Sequence, residues 1–178
     1  MANVDSVELF VPGRLCLFGE HSDWAGKYMD QNPDCSVQEV IRFVERIREK
    51  VRMRFVVGNL DFLRAGGRVS NSAAIAGNLL RIHPCIEITD GRLLAKKKYL
   101  GSHSGVVRRL LSDYLDQYDV NTNHIYLLCA PRTAPETKET AEAFLKNRGY
   151  TSYSWNMIGG IITCHGGPTG FGLAALVK

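Results

Sequence analysis

The sequence predicts an α/β (α+β) protein, a mixed sheet with helices packed on it, preceded by a short strand-like N-terminal extension. Three observations carry this expectation. Helical and extended patterns alternate from residue 36 onward with short connections, which favours helices laid on a sheet. Ile125–Ala130 and Phe171–Val177 are continuous apolar runs of strand length, as buried strands are. Asp90-Gly91 separates the runs Pro84–Thr89 and Leu93–Leu100, and both residues tolerate the positive φ that a two-residue hairpin turn requires.

The elements follow in order. Ser36-x-x-Glu39 is a capping box, and Val37, Val40, Ile41, Val44, Ile47 and Val51 recur behind it at helical spacing, predicting about four turns of amphipathic helix. Arg54–Val57 is short and apolar enough for a buried strand. Asn59–Arg64 predicts a brief helix that stops at Gly66-Gly67. Ser70–Ile82 predicts a second one whose small residues (Ala73, Ala74, Ala76, Gly77) suit tight packing. After the hairpin come a helix over Ser102–Tyr118 with Val106, Val107, Leu110, Leu111 and Leu115 on its apolar side, the strand Ile125–Ala130, a helix over Pro135–Asn147 ended by Gly149, and a strand over Ser152–Asn156. Phe171–Val177 completes the sheet.

Composition narrows the function. At 178 residues, with 45% hydrophobic and 22% charged residues, the chain can bury one good-sized core, and no apolar run approaches the length of a membrane span. The N-terminus lacks a basic segment followed by an apolar one, so a cytoplasmic protein is expected. Cys16, Cys35, Cys85, Cys129 and Cys164 are widely spaced, indicating neither a disulfide framework nor a metal site, and they read as small buried thiols. The net charge of +4 is uneven: Arg42, Arg46, Arg48, Lys50, Arg52 and Arg54 crowd one passage, with Lys96–Lys98 and Arg108–Arg109 beyond. Glu39, Glu45 and Glu49 interleave with the first cluster, so a solvated helix face is expected there. A weaker reading makes it a dock for an acidic partner; nucleic acid is not expected. His21, His83, His103 and His124 read as structural or exposed.

Two segments carry family resemblances. From about Asp34 onward, LDFLRAGGRVS (60–70), RIHPCIEITDGRL (81–93) and IGGIITCHGGPTG (158–170) resemble, in that order, the C-terminal half of the DegV family of fatty-acid-binding proteins. The resemblance implies that Arg68, delivered by the Gly66-Gly67 turn, lies near a fatty-acid carboxylate, and that His165 joins the same polar network. Gly66, Gly67, Ser70 and Gly167 would support them. A guanidinium, planar and always charged, suits that task. Thr169 stands where the family pattern has its last glycine. The resemblance further implies a carrier, not an enzyme, that presents a long-chain fatty acid to a separate fatty acid kinase, with no cofactor. The family's N-terminal domain, which encloses the acyl chain, has no counterpart here, so impaired binding is expected.

Residues 9–24, LFVPGRLCLFGEHSDW, are similar to the first motif of GHMP sugar kinases of the galactokinase-like branch. There the resemblance implies sugar contacts from Arg14, Glu20, His21 and Asp23. The expected division is an incomplete kinase-like extension over 1–28 and a DegV-like domain over 29–178. A remnant of a sugar kinase with residual sugar or ATP binding, and a non-binding structural domain, stand as the alternatives.

Overall fold

The structure of the chain, a computed structural model, describes residues 20–89 and 92–178. Six strands form one sheet, β1 (Val51–Val56), β2 (Ile82–Thr89), β3 (Arg92–Leu100), β4 (Val120–Cys129), β5 (Tyr153–Met157) and β6 (Phe171–Val177). Their order is β3-β2-β1-β6-β4-β5. Only β4 and β5 run parallel, joined by the crossover helix α6 (Pro135–Asn147), and every other neighbouring pair is antiparallel. This is the mixed sheet with packed helices that the alternation predicts.

Side chains along β1 divide between the two faces, as the period of a strand requires. Val56 joins a large core in which α5 (His103–Gln117) contributes Val106, Val107, Leu110, Leu111 and Tyr114, and α6 contributes Ala141 and Leu145. Met53 and Val57 belong to the opposite face, where smaller clusters form with Leu128 and Ala174, and with Leu60 and Ala74. Helices α2 (Val37–Lys50), α3 (Asp61–Ala65), α4 (Asn71–Leu79) and α7 (Gly160–Gly166) accompany this second face. Burying each large apolar side chain of the first core contributes about 1.5–3 kcal/mol.

The sequence signals act locally as chemistry demands. Ser36 accepts from the Glu39 amide while the Glu39 carboxylate accepts from the Ser36 amide at 2.7 Å, closing the capping box. Thr89 pairs with Arg92, so the hairpin connection has two residues, which themselves lie outside the described ones. Gly149 takes a φ of +82 behind α6. The small residues of α4 do pack tightly, since a β-carbon on Gly77 would overlap the Leu60 side chain.

Several expectations need correction. The strand-like extension is helical from Glu20: α1 (Glu20–Gln31) runs through the segment and stacks Tyr28 on Phe43 of α2, with ring centroids 4.3 Å apart. Residues 1–19 lie outside the described ones. α4 stops at Leu79 and not at Ile82, because the chain reverses at Arg81, whose φ of +50 a helix cannot accommodate, and Ile82 opens β2. α7, which the glycines of 158–170 disguise, was not expected. The thiols divide: Cys85 and Cys129 are buried, Cys35 is half-buried and Cys164 is exposed.

Arg54 departs furthest from the solvated face expected of its cluster. It is buried on the α5 side of β1, its Nε donating to Glu87 Oε2 at 2.5 Å and an Nη to Gln117 Oε1 at 2.5 Å. The sequence hides this because Arg54 follows the basic helix without interruption, and only the alternation of β1 turns it inward. Tyr118 caps the pair, with its hydroxyl 2.9 Å from Glu87 Oε2 and its ring 5.0 Å from the guanidinium carbon.

Candidate functional site

Arg68 and His165 lie 97 positions apart in sequence and come together across the α3–α7 contact. α3 ends in a tight turn in which the Gly66, Gly67 and Arg68 amides donate to Phe62, Arg64 and Leu63 carbonyls at 3.0, 2.8 and 2.8 Å. Gly67 adopts a φ of +72, the left-handed conformation in which glycine has no steric penalty. Arg68 leaves this turn exposed, and its Nη1 donates to the Gly66 carbonyl. The position that a β-carbon on Gly66 would occupy lies 3.0 Å from His165 Nδ1 and 3.5 Å from Arg68 Nη1. The two predicted residues therefore converge on the bare face of Gly66.

The supporting residues have definite tasks. Gly167 ends α7 with a φ of +83, and its missing side chain makes room for the Phe62 ring, which a β-carbon would meet at 2.8 Å. That contact docks α7 against α3. Ser70 caps α4, accepting from the Ala73 amide at 3.3 Å. Thr169 packs onto Gly58, which has no room for a β-carbon of its own. Among the described residues no carboxylate pairs with Arg68 or His165.

α7 also covers a narrow apolar slot with a volume of about 20 Å³, lined by Phe55, Val57, Leu128, Ile158, Ile162, Gly166 and Gly172 among others. Ile162 and His165 stand on the same short helix, so one element contributes to both the slot and the polar pair. The family resemblance pointed to none of these apolar residues. The signal was present in Ile158 and Ile162, an i,i+4 apolar pair flanking Gly159-Gly160. Glu20, His21 and Asp23 fall on α1, and Arg14 lies outside the described residues.

A polar, partly cationic corner beside an apolar slot, on a six-stranded mixed sheet, is an architecture suited to an amphiphile with an anionic head. The fold is shared with the Streptococcus pneumoniae Fatty Acid Kinase (Fak) B3 protein loaded with linoleic acid, at a TM-score of 0.73 and 18% identity over 89% of this chain and 55% of that one. It is shared equally with a DegV family protein from Eubacterium eligens loaded with heptadecanoic acid, at a TM-score of 0.72 and 18% identity over 90% of this chain and 56% of that one. The family model described as "Uncharacterised protein, DegV family" matches residues 25–178, and the chain belongs to the DegV family. A DegV domain-containing protein of Deinococcus radiodurans is 30% identical over 145 residues, 78% of this chain and 49% of the relative. The chain thus spans about half the length of the curated relatives it matches.

Proposed function

We propose that this chain is a fatty-acid-binding carrier module, not a catalyst, in which Arg68 and His165 hold the carboxylate and the apolar residues beside α7 face the start of the acyl chain. The observation that carries the reading is the convergence of Arg68 Nη1 and His165 Nδ1 on Gly66, with Ile162 and Gly166 of the same helix lining the slot. A guanidinium offers a fixed fork of donors to a carboxylate, and its charge-assisted bonds exceed neutral ones in strength. Each methylene that leaves water contributes about 0.8 kcal/mol, so apolar contact supplies affinity and the polar pair orientation.

The reading extends to a partner: the carrier presents its carboxylate to a separate fatty acid kinase in the cytoplasm. The named relative loaded with linoleic acid supports that extension. With about half of the relatives' length, this chain supplies one side of the head-group site, and we expect weak affinity from it alone. The test is solvent extraction of the purified chain followed by mass spectrometry of the lipid fraction. A fatty acid present with the parent and lost with Arg68→Ala is expected. Equal amounts in both would remove Arg68 from the site.

Residues 9–24 keep their kinase-like resemblance as a separate proposal, since the family match begins only at residue 25. A melting temperature unmoved by galactose, fucose and ATP would end it.

A further inference from the structure

β3 closes one side of the sheet and, among the described residues, pairs only with β2, so one side of its backbone has no ladder partner. Such an edge accepts a further strand unless its side chains prevent it. Arg92, Lys96, Lys97 and Lys98 give this strand four cations and no carboxylate. Leu93, Leu94 and Leu100 are exposed at 49%, 39% and 57%, which an edge built only to repel other strands would not show.

A bulge spreads the charge over both faces. Cys85 pairs with Lys97 and Ile86 with Ala95, leaving Lys96 as the extra residue. Lys96 and Lys97 therefore share the α5 side, where their ammonium groups lie 3.9 Å from Glu87 and 2.6 Å from Asp113. Lys98 and Leu100, opposite Pro84 and Ile82, take the other side. Arg92 and Lys98 are exposed and make no ion pair among the described residues. Arg109 of α5 marks the end of the strand by donating to the Leu100 carbonyl.

A second copy of this chain fits the edge poorly. Antiparallel pairing over the full strand centres on Lys96 and gathers the Lys96–Lys98 segments of both copies, and like charges facing across strands destabilise the pair. An acidic strand turns that repulsion into attraction. We propose that β3 is a docking edge for an extended acidic segment of a partner protein. The segment joins the sheet as a further strand, its carboxylates against Lys96–Lys98 and its apolar residues against Leu93, Leu94 and Leu100. Main-chain hydrogen bonds supply the affinity of such an addition and the side chains its specificity.

The probe is a capped peptide, Val-Thr-Glu-Glu-Glu-Thr-Val-Val, which matches β3 in antiparallel register and is titrated against the full chain by calorimetry. Binding at least roughly fivefold weaker to Lys98→Glu than to the parent is expected, as reversal of a facing charge implies. Lys146→Glu on α6 should leave the affinity unchanged. Peptides N-methylated at alternate residues lose half of their ladder donors, and one of the two alternating sets should abolish binding by the parent. In hydrogen exchange, which needs no variant, the bound peptide should slow the β3 amides. The proposal is overturned by no binding to the parent, by equal affinity for Lys98→Glu, by full affinity of both N-methylated peptides, or by protection at β5, the other edge, in place of β3. Attachment of the parent to anionic phospholipid vesicles without binding to the peptide would assign the edge to a membrane and overturn it as well.

Discussion

A β-carbon at Gly66 would stand 3.0 Å from His165 Nδ1, yet the backbone there, with φ −79, is one that alanine adopts freely. Gly66→Ala should therefore leave the melting temperature nearly unchanged while pushing the imidazole aside and weakening fatty-acid binding, which calorimetry and a thermal melt read separately. Gly167 differs because its positive φ and the Phe62 ring both reject a side chain. Gly167→Ala should cost about 1–3 kcal/mol of stability, measured by urea denaturation, and should loosen α7 together with the site. The tight turn before Arg68 was legible at this scale because Gly66-Gly67 marks it, whereas a carboxylate role for Arg68 came only from the family resemblance. The contact between the His83 and His103 rings was not legible, since each looks like an ordinary structural histidine and nothing in the sequence brings residues 20 positions apart ring to ring.

Among elements, β1 and β2 are tied by the buried Arg54–Glu87 pair, both about 5% exposed at 6% and 4%. Removing Arg54 takes away the 2.5 Å ion-pair partner of the buried Glu87 carboxylate, while the Tyr118 hydroxyl and the Lys96 ammonium at 3.9 Å remain, so Arg54→Met alone should destabilise the chain by about 3 kcal/mol. Adding Glu87→Leu should recover part of that loss, a result that a double-mutant cycle of denaturation free energies displays. β3 and α5 are joined by Asp113, which accepts from Lys97 Nζ and the Tyr99 hydroxyl, each at 2.6 Å. Burial alone would raise the Asp113 carboxyl, but the bonds from Lys97 and Tyr99 outweigh it and hold it below the usual carboxylate range. Its contribution to stability is thus present above the ordinary carboxylate pKa and is lost as pH falls through the lowered one. Asp113→Asn should be less stable than the parent at pH 7, and the gap should shrink toward pH 3. Helices with caps and strands with continuous apolar runs were legible because their signals are local. α7 was not, because a seven-residue helix with glycine at all four of its flanking and terminal positions owes its existence to packing on α3.

For the whole molecule, the fold class and strand content followed from the alternation of patterns, whereas the sheet order did not. No local feature of Phe171–Val177 reveals that β6 inserts between β1 and β4. That insertion sets the next segment back, α7, over the second face of the sheet, where Phe55, Leu128 and Gly172 floor the slot. Arg68 and His165 could be named from motifs that resemble the family's, but the slot needed three strands and a helix assembled from distant parts of the chain. The chain occupies about half of its relatives' length, so a direct affinity measurement on it alone is the most searching test of the carrier reading. Palmitate and its methyl ester should be titrated against the parent and Arg68→Ala. The account predicts that the parent binds the acid at least roughly tenfold more tightly than the ester, as a charge-assisted pair requires, and that Arg68→Ala erases the difference. Equal affinity of the parent for acid and ester would contradict a carboxylate site at Arg68 and His165.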